Sequence, residues 1–365
     1  MYAINSSSLN LSFFVFFYHI FFQFEHSFVS FAVRGAVISY WIERCTGMAK
    51  KSVGKPKPTF KKTLKEIVRF RGVYLIMLPA IVWYILFSYV PMAGLSLAFK
   101  TYKAKLGIWG SPYTGFTHFE KLFKDPRFLD AVLRTLKING GRLILTFPFA
   151  IILALLLNEL RMGKFKKVLQ VTFTFPHFLS WVIIASIITN VLSYDGLVNS
   201  AIELMGGEYV NFIGNSKLFV PLVYITEVWK GAGWSSIIYM AAIAGIDQEQ
   251  FEAADIDGAS RWDKMWRITL PSILPTITIM FILAAGNVMT KGFDQVFNMD
   301  NAAVHKVSQT LDMYIYNVTF NAKKTDFGYS TAISMFRSVV NLTFLVIANT
   351  ITKKLGGNGL MGGGD

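Results

Sequence analysis

The sequence predicts an all-α, polytopic membrane protein with six membrane-spanning helices. Of its 365 residues, 53% are hydrophobic and 16% are charged, which is more apolar and less charged than is usual for a soluble domain. The apolar residues come in blocks of about 20 or more, the length at which a helix crosses roughly 30 Å of hydrocarbon. Composition and block length together therefore predict insertion into a membrane.

Six apolar blocks define a predicted membrane domain that runs from residue 73 to residue 352. The blocks are Val73–Phe99, Leu136–Leu157, Val168–Leu192, Phe219–Gly245, Ser272–Thr290 and Ser330–Thr352. Proline and glycine interrupt several of them, and packed membrane helices tolerate both residues as kinks or points of close contact. As a set, these interruptions suit helices that bend between two states.

Lysine and arginine predict the orientation, because connections on the cytoplasmic side are enriched in both. Nine of them lie in Lys50–Arg71, directly before the first block, and four lie in Asn158–Lys167, after the second. The connection Ser193–Lys217 has Lys217 alone against three acidic residues. We therefore expect the basic segment 48–72 and the connection after the second span to be cytoplasmic.

Counting spans from there places residues 246–271 and the Gly-rich tail 353–365 inside. The first exterior connection, Lys100–Thr135, contains seven basic residues and is an exception to the pattern. The net charge of +14 is thus concentrated at predicted membrane flanks, which argues against nucleic acid as a partner and indicates membrane lipid as the surroundings.

Residues 1–47 allow two interpretations. The segment contains nine phenylalanines, has Glu25 and His26 in its middle, and has no Lys or Arg before Arg34. It lacks the basic start and small-residue cleavage site of a signal peptide. It is either an extra N-terminal span, or a spurious extension upstream of a natural start at Met48.

The residues that usually carry cofactors are sparse. Cys45 is the only cysteine, the five histidines are scattered, and no GxxxxGK[ST] sequence is present. A P-loop needs that sequence to hold nucleotide phosphates, and zinc sites need clustered Cys or His. We expect no catalytic residues, no metal and no cofactor bound by this chain.

The cytoplasmic connection before the fifth span has the features of a helix-turn-helix. Glu252–Ile256 is a short helix-forming run, and Gly258 allows a turn that a residue with a Cβ resists. Ser260 can cap a second run, with Asp263 as its partner in a capping box. The predicted apolar face of that run comprises Trp262, Met265 and Trp266.

The connection 246–271 contains six acidic residues, on the side of the membrane where basic residues are preferred. A linker that only covers the membrane edge does not account for them, whereas a surface that docks another protein does. The spacing of this segment matches the EAA signature of permease subunits in binding-protein-dependent ABC importers. The matching residues are Glu252, Ala253, Ala254, Gly258, Ile268, Leu270 and Pro271.

The flanking segments Glu227–Ala242 and Gly292–Asn298 look like the carbohydrate-uptake branch of that family, close to the lipoprotein/polysaccharide transport permease group. This resemblance implies a six-span core like that of type I ABC importer permeases, in a multi-pass protein of the bacterial cell membrane. It implies oligosaccharides or polysaccharide fragments as substrates. A permease for another solute, or an ion-coupled secondary transporter, remains as an alternative.

The resemblance also implies a set of partners. The EAA loop sits in a cleft of a cytoplasmic ABC ATPase subunit, present as a dimer, which uses the ATP. A second permease subunit, related but different, completes the membrane part, and an extracytoplasmic sugar-binding protein delivers the substrate. Glu252 would pair with a basic residue of the ATPase, Gly258 would make the turn, and Asp255 and Trp262 would lie at or beside the contact.

Sugar sites combine aromatic faces with amides and carboxylates. The candidates for the substrate path are Trp229, Trp234, Asn287, Asp294 and Gln295. Each tryptophan can instead pack against a neighbouring helix. Glu227 and Lys230 are ionisable residues within a span, and their spacing predicts that they pair with each other on one helix face.

Overall fold

The computed structural model describes residues 69–160, 163–321 and 325–354. Residues 1–47, most of the basic segment 48–72 and most of the tail 353–365 lie outside the described residues. The chain divides into two units after Gly94, and each is described by itself.

The first unit contains helix α1 (Arg71–Tyr84), which continues into a π-helical turn at Ile85–Tyr89. A 3₁₀ segment, Val90–Phe99, follows and crosses into the second unit. Apolar residues occupy every side of α1, as in a helix that lies in a membrane or a large core.

The second unit is built from helices joined by short connections. Its helices are α2 (Gly107–Gly110), α3 (Thr117–Lys124), α4 (Pro126–Glu159), α5 (Gly163–Thr174), α6 (Trp181–Leu192), α7 (Leu197–Leu204), α8 (Ser216–Ala244), α9 (Gln248–Ile256), α10 (Arg261–Lys264), α11 (Leu270–Ala285), α12 (Phe293–Met299), α13 (His305–Ser308), α14 (Leu311–Tyr316) and α15 (Phe327–Lys354). A π-helical turn, Met265–Thr269, joins α10 to α11, and another, Asn317–Asn321, follows α14.

Five segments of the described residues are long and apolar enough to cross a membrane. They are Arg71–Phe99, Pro126–Glu159, Trp181–Leu204, Arg261–Ala285 and Phe327–Lys354. Helix α8 covers the fourth predicted span and is not among the five. Its 29 residues extend for about 44 Å at a rise of 1.5 Å per residue, and it carries Glu227 and Lys230. The predicted fold class, an all-α polytopic membrane protein, is confirmed.

The third predicted span, Val168–Leu192, is wrong as a single helix. Helix α5 ends at Thr174, a 3₁₀ turn follows at Phe175–Phe178, and α6 begins only after Ser180, whose hydroxyl accepts the N–H of Ile183 at 3.3 Å. Pro176 lacks the N–H that a continuous helix would need, and an N-cap serine starts a new helix.

The predicted pair between Glu227 and Lys230 is also wrong. The Lys230 ammonium group donates to the carbonyls of His177, at 2.8 Å, and of Pro176 and Leu179, within the break between α5 and α6. Carbonyl groups at a helix break lose N–H donors of the continuous helix, and one flexible lysine can donate to several of them at once. Of the three carbonyls here, that of Pro176 also accepts the N–H of Leu179 at 3.2 Å. Lys230 thus holds the break against α8.

Two glycines allow α8 to pack closely against α4 and α5. A Cβ on Gly141 of α4 would overlap the Tyr224 hydroxyl of α8. A Cβ on Gly233 of α8 would overlap the Phe173 carbonyl of α5. Small residues allow such approaches between membrane helices, and α4 and α8 form the frame on which both sites described below are built.

Candidate functional site

The predicted helix-turn-helix before the fifth span begins with α9, which is capped at both ends. The Asp247 carboxylate accepts the N–H of Glu249 at 3.1 Å. At the other end the N–H of Ala259 donates to the Ala254 carbonyl at 2.9 Å, and the N–H of Gly258 donates to the Asp255 carbonyl at 3.1 Å. These two bonds form a Schellman motif, which requires a left-handed residue after the helix.

Gly258 supplies that residue, with φ at +74°. A Cβ placed on it would meet nothing within 4 Å. The glycine is therefore needed for its backbone conformation, and not because a neighbour fills the space of a side chain.

The second arm starts with the predicted capping box, which is confirmed. Asp263 donates its N–H to the Ser260 hydroxyl at 3.2 Å, and the Asp263 carboxylate accepts the N–H of Ser260 at 3.2 Å. An ion pair between Lys264 and Asp255 joins the two arms. The arms therefore hold a fixed relative orientation through the cap and through one charged contact.

The side chains of the second arm are not arranged as predicted. Met265 is buried, while Trp262 and Trp266 are 66% and 60% exposed. The π-helical turn that begins at Met265 directs that residue into the core, and the two tryptophans, four positions apart, share the outer face. On the first arm, Ile256 is 87% exposed and Glu252 is exposed.

The base of the loop is part of the core of the second unit. Met265 belongs to a buried cluster with residues of α4, α8 and α11, and Phe251, Ile268 and Leu270 pack against it. The outer face of the loop presents Glu252, Ile256 and the two tryptophans, whereas the inner face is fixed to the long helices. Exposed aromatic groups on a rigid base are typical of a surface that binds another protein.

A second polar region lies between the long helices. A cavity of about 320 Å³ lies among α4, α8, α11 and the turn after α11. Its polar lining comprises Asn139, Arg142, Thr146, Ser235, Asn287 and Lys291. Phe147 and Tyr239 contribute aromatic rings to it.

Arg142 is 1% exposed and connects α4 to the chain after α11. Its guanidinium donates to the Asn139 side-chain oxygen at 2.9 Å, to the Lys291 backbone carbonyl at 3.1 Å, and to the Gln295 side-chain oxygen. Gly292, with φ at +92°, leaves the room for it, because a Cβ there would overlap the guanidinium.

Glu227 and Lys291 form an ion pair at 3.1 Å, with the Glu227 side chain 10% exposed and the Lys291 side chain 54% exposed. Glu227 therefore has a partner on another helix-flanking segment instead of Lys230. The bond from Asn139 to the Val288 carbonyl, at 2.7 Å, closes the same region of the turn after α11.

Residues 146–356 match the family described as the binding-protein-dependent transport system inner membrane component. The chain belongs to this family. The polygalacturonan/rhamnogalacturonan transport system permease protein YteP of Bacillus subtilis (strain 168) is 41% identical over 301 residues, which cover 82% of this chain and 93% of YteP. Protein LplB of the same strain is 39% identical over 300 residues, which cover 81% of this chain and 93% of LplB.

A solved structure, that of a bacterial alginate ABC transporter in complex with an alginate pentasaccharide-bound periplasmic protein, contains a similar chain. It superposes with a TM-score of 0.73 at 33% identity, over 81% of this chain and 99% of that one. The resemblance inferred from the EAA loop is confirmed, and the permease is a multi-pass inner-membrane protein.

Two of the five predicted substrate-path residues lie at the cavity or next to its arginine, and the other three lie elsewhere. Asn287 lines the cavity, and Gln295 is fully buried, where it accepts from Arg142 and donates to the Val223 carbonyl at 2.8 Å. Trp229, Trp234 and Asp294 are exposed and do not line it.

Trp234 stacks on the His177 ring, with 4.5 Å between the centroids, which agrees with the alternative of packing against a neighbouring helix. The sequence analysis did not include Arg142 and Lys291 among the candidates for the substrate path. The signal for Arg142 was available, because an arginine inside a predicted span indicates function by default.

Proposed function

We propose that this permease carries oligosaccharides or polysaccharide fragments inward across the cell membrane, as one subunit of an ATP-driven importer. The observation that carries the proposal is similarity over four fifths of the chain to proteins named for polysaccharide transport. YteP is named for polygalacturonan and rhamnogalacturonan, and a second similar solved structure is that of a bacterial ABC transporter involved in the import of the acidic polysaccharide alginate.

The EAA loop is the part of the permease that couples transport to ATP hydrolysis. The loop exposes three apolar side chains, Ile256, Trp262 and Trp266, and the carboxylate of Glu252. Burial of such aromatic groups supplies much of the binding energy at interfaces, and a rim charge selects the partner. A cleft in the ATPase that is lined with apolar groups and a basic residue fits this face.

Under this proposal, the importer needs three kinds of partner subunit. A dimer of cytoplasmic ATPase subunits binds and hydrolyses ATP, and the permease has no catalytic residues and no cofactor of its own. A second, related permease chain completes the pathway, and an extracytoplasmic binding protein delivers the saccharide. When the ATPase subunits close, they displace the loop, and the loop displaces the helices to which its base is packed.

The proposal is tested with the complete importer in proteoliposomes, with its binding protein outside and ATP inside. We expect uptake of an oligosaccharide such as trigalacturonate to require ATP and the binding protein. Uptake that is driven by an ion gradient without ATP would identify a secondary transporter. Uptake of a non-sugar solute, without uptake of any saccharide, would show that the proposed substrate class is wrong.

A charge reversal tests the role of the loop in the same assay. Glu252→Lys is expected to reduce uptake and the amount of ATPase that co-purifies with the permease, because it reverses a charge that faces the ATPase. Gln250→Lys is the matched control, since position 250 lies about 200° around the helix axis. Normal uptake by the Glu252→Lys variant with its ATPase bound would contradict the assignment of this face.

A further inference from the structure

The cavity among α4, α8 and α11 has an unusual balance of charge for a site inside a membrane domain. Among the described residues, its lining includes two cationic side chains, Arg142 and Lys291, and no carboxylate. The carboxylate of Glu227 pairs with Lys291 at 3.1 Å, but Glu227 is not among the residues that line the cavity. One carboxylate therefore serves two cations.

The buried cation has only neutral partners. The guanidinium of Arg142 donates to two side-chain amides and one backbone carbonyl, and its Nε has no hydrogen-bond partner among the described residues. The Thr146 hydroxyl, on the same helix, also lacks one. A charge buried away from water is costly unless an opposite charge compensates it. The two cations of the cavity, Arg142 and Lys291, thus have one carboxylate, Glu227, to compensate them, which leaves an excess of one positive charge.

The remaining lining suits a sugar ring. Phe147 and Tyr239 offer aromatic rings, while Ser235 and Asn287 offer hydroxyl and amide groups. The volume of the cavity, about 320 Å³, is at the lower end of the roughly 300–1,000 Å³ that small-molecule sites occupy. There is room for one unit of a chain and not for a long one.

We propose that this cavity is a transit site for one uronic-acid unit of the transported saccharide, whose carboxylate pairs with the ammonium group of Lys291. The proposal rests on the proposed function, since it takes the substrate to be a saccharide, and it narrows the class to anionic saccharides. Lys291 releases its contact with Glu227 to the incoming carboxylate, while Arg142 contributes charge from behind.

The contacts of Lys291 distinguish a role in substrate binding from a structural role. Arg142 fixes the turn after α11 through the backbone carbonyl of Lys291 and not through its side chain. The Lys291 side chain is 54% exposed, so it is not needed to fill the core. A substitution at Lys291 therefore removes the ammonium group and its ion pair with Glu227, and leaves the Arg142 contacts in place.

The test uses two probes, trigalacturonate and its fully methyl-esterified form, which has the same rings without the charges. Uptake is measured in proteoliposomes with the complete importer. Binding of each probe to the purified permease–ATPase complex is measured without the binding protein, which removes the selectivity of that protein. The variants are Lys291→Gln and the charge-retaining Lys291→Arg, and the control is Lys217→Gln, an exposed lysine at the start of α8.

For Lys291→Gln we expect kcat/KM for trigalacturonate to fall about tenfold, which corresponds to about 1.4 kcal/mol, and its dissociation constant to rise by a similar factor. The kcat/KM and the dissociation constant for the ester should not change. Normal transport of the ester also shows that the variant is folded. Lys291→Arg and Lys217→Gln should resemble the wild type.

Equal losses for both probes, or no loss for either, would overturn the anionic site while the saccharide importer stands. If the wild-type importer takes up neither these probes nor any neutral oligosaccharide, the proposed function and the site are both overturned.

Discussion

Substitution of Gly258 tests whether the turn in the EAA loop is required for coupling. The φ angle of +74° is strained for most residues with a Cβ, and above all for β-branched ones, and no neighbouring atom lies within 4 Å of the Cβ position. In Gly258→Val the cost is therefore that of the backbone conformation alone, about 1–2 kcal/mol. A penalty of that size lowers the population of the native turn roughly 5–30-fold.

The strained variant can relax only by losing the contacts that end α9. A return of residue 258 to negative φ breaks the bonds from Ala259 to Ala254 and from residue 258 to Asp255. It also moves Asp255 away from Lys264, its partner in the second arm. We expect Gly258→Val to lower ATP hydrolysis stimulated by the loaded binding protein, lower uptake to a similar degree, and weaken co-purification of the ATPase.

Gly258→Asn is the matched control, because asparagine adopts the left-handed conformation at little cost. It should retain most of the coupling, and Gly258→Ala should lie between the two variants. If asparagine is as damaging as valine, the missing Cβ is needed for space against the ATPase, and the argument from backbone strain is refuted. Full activity of the valine variant would refute a coupling role for the turn.

The other predictions concern the break in the third span and the orientation. Lys230→Met keeps the length of the side chain but removes the lysine donor from three carbonyls at the break, of which that of Pro176 still accepts the N–H of Leu179. We therefore expect a destabilisation on the order of 1–3 kcal/mol, measured as a lower melting temperature of the purified permease. An unchanged value would show that other donors satisfy the break. In a Cys45→Ala background, a membrane-impermeant thiol reagent should label a cysteine at Asn211 and not one at Ser260, and the reverse pattern would refute the assigned orientation.

The turns of the EAA loop could be predicted because their causes are local. Gly258 after a helical run, and Ser260 three positions before Asp263, act through hydrogen bonds within a few residues. The exposure of Trp262 and the burial of Met265 could not be predicted in this way. They depend on a π-helical turn, which shifts the helical periodicity and leaves no simple pattern in the sequence.

Contacts between distant segments were beyond sequence reasoning. Lys230 was assigned to Glu227 because a spacing of three residues allows the pair, but its partners are the carbonyls around His177, more than 50 positions earlier. The continuous hydropathy of Val168–Leu192 hid the break, although Pro176 marked its place. Hydropathy measures transfer into the membrane and is insensitive to where a helix is interrupted.

The buried cluster at the base of the EAA loop shares residues with the cavity, and this links the proposed coupling site to the proposed substrate site mechanically. Tyr239 and Ala150 belong to the buried cluster that holds Met265 at the base of the loop, and both also line the cavity. Because packed interiors shift as discrete units and do not deform continuously, a displacement of the loop that moves this cluster also moves one wall of the cavity. A substrate that holds Lys291 at the other end of the cavity then acts on the same helices from the opposite side. Under this arrangement the ATPase and the saccharide bias one conformational change without any contact between them.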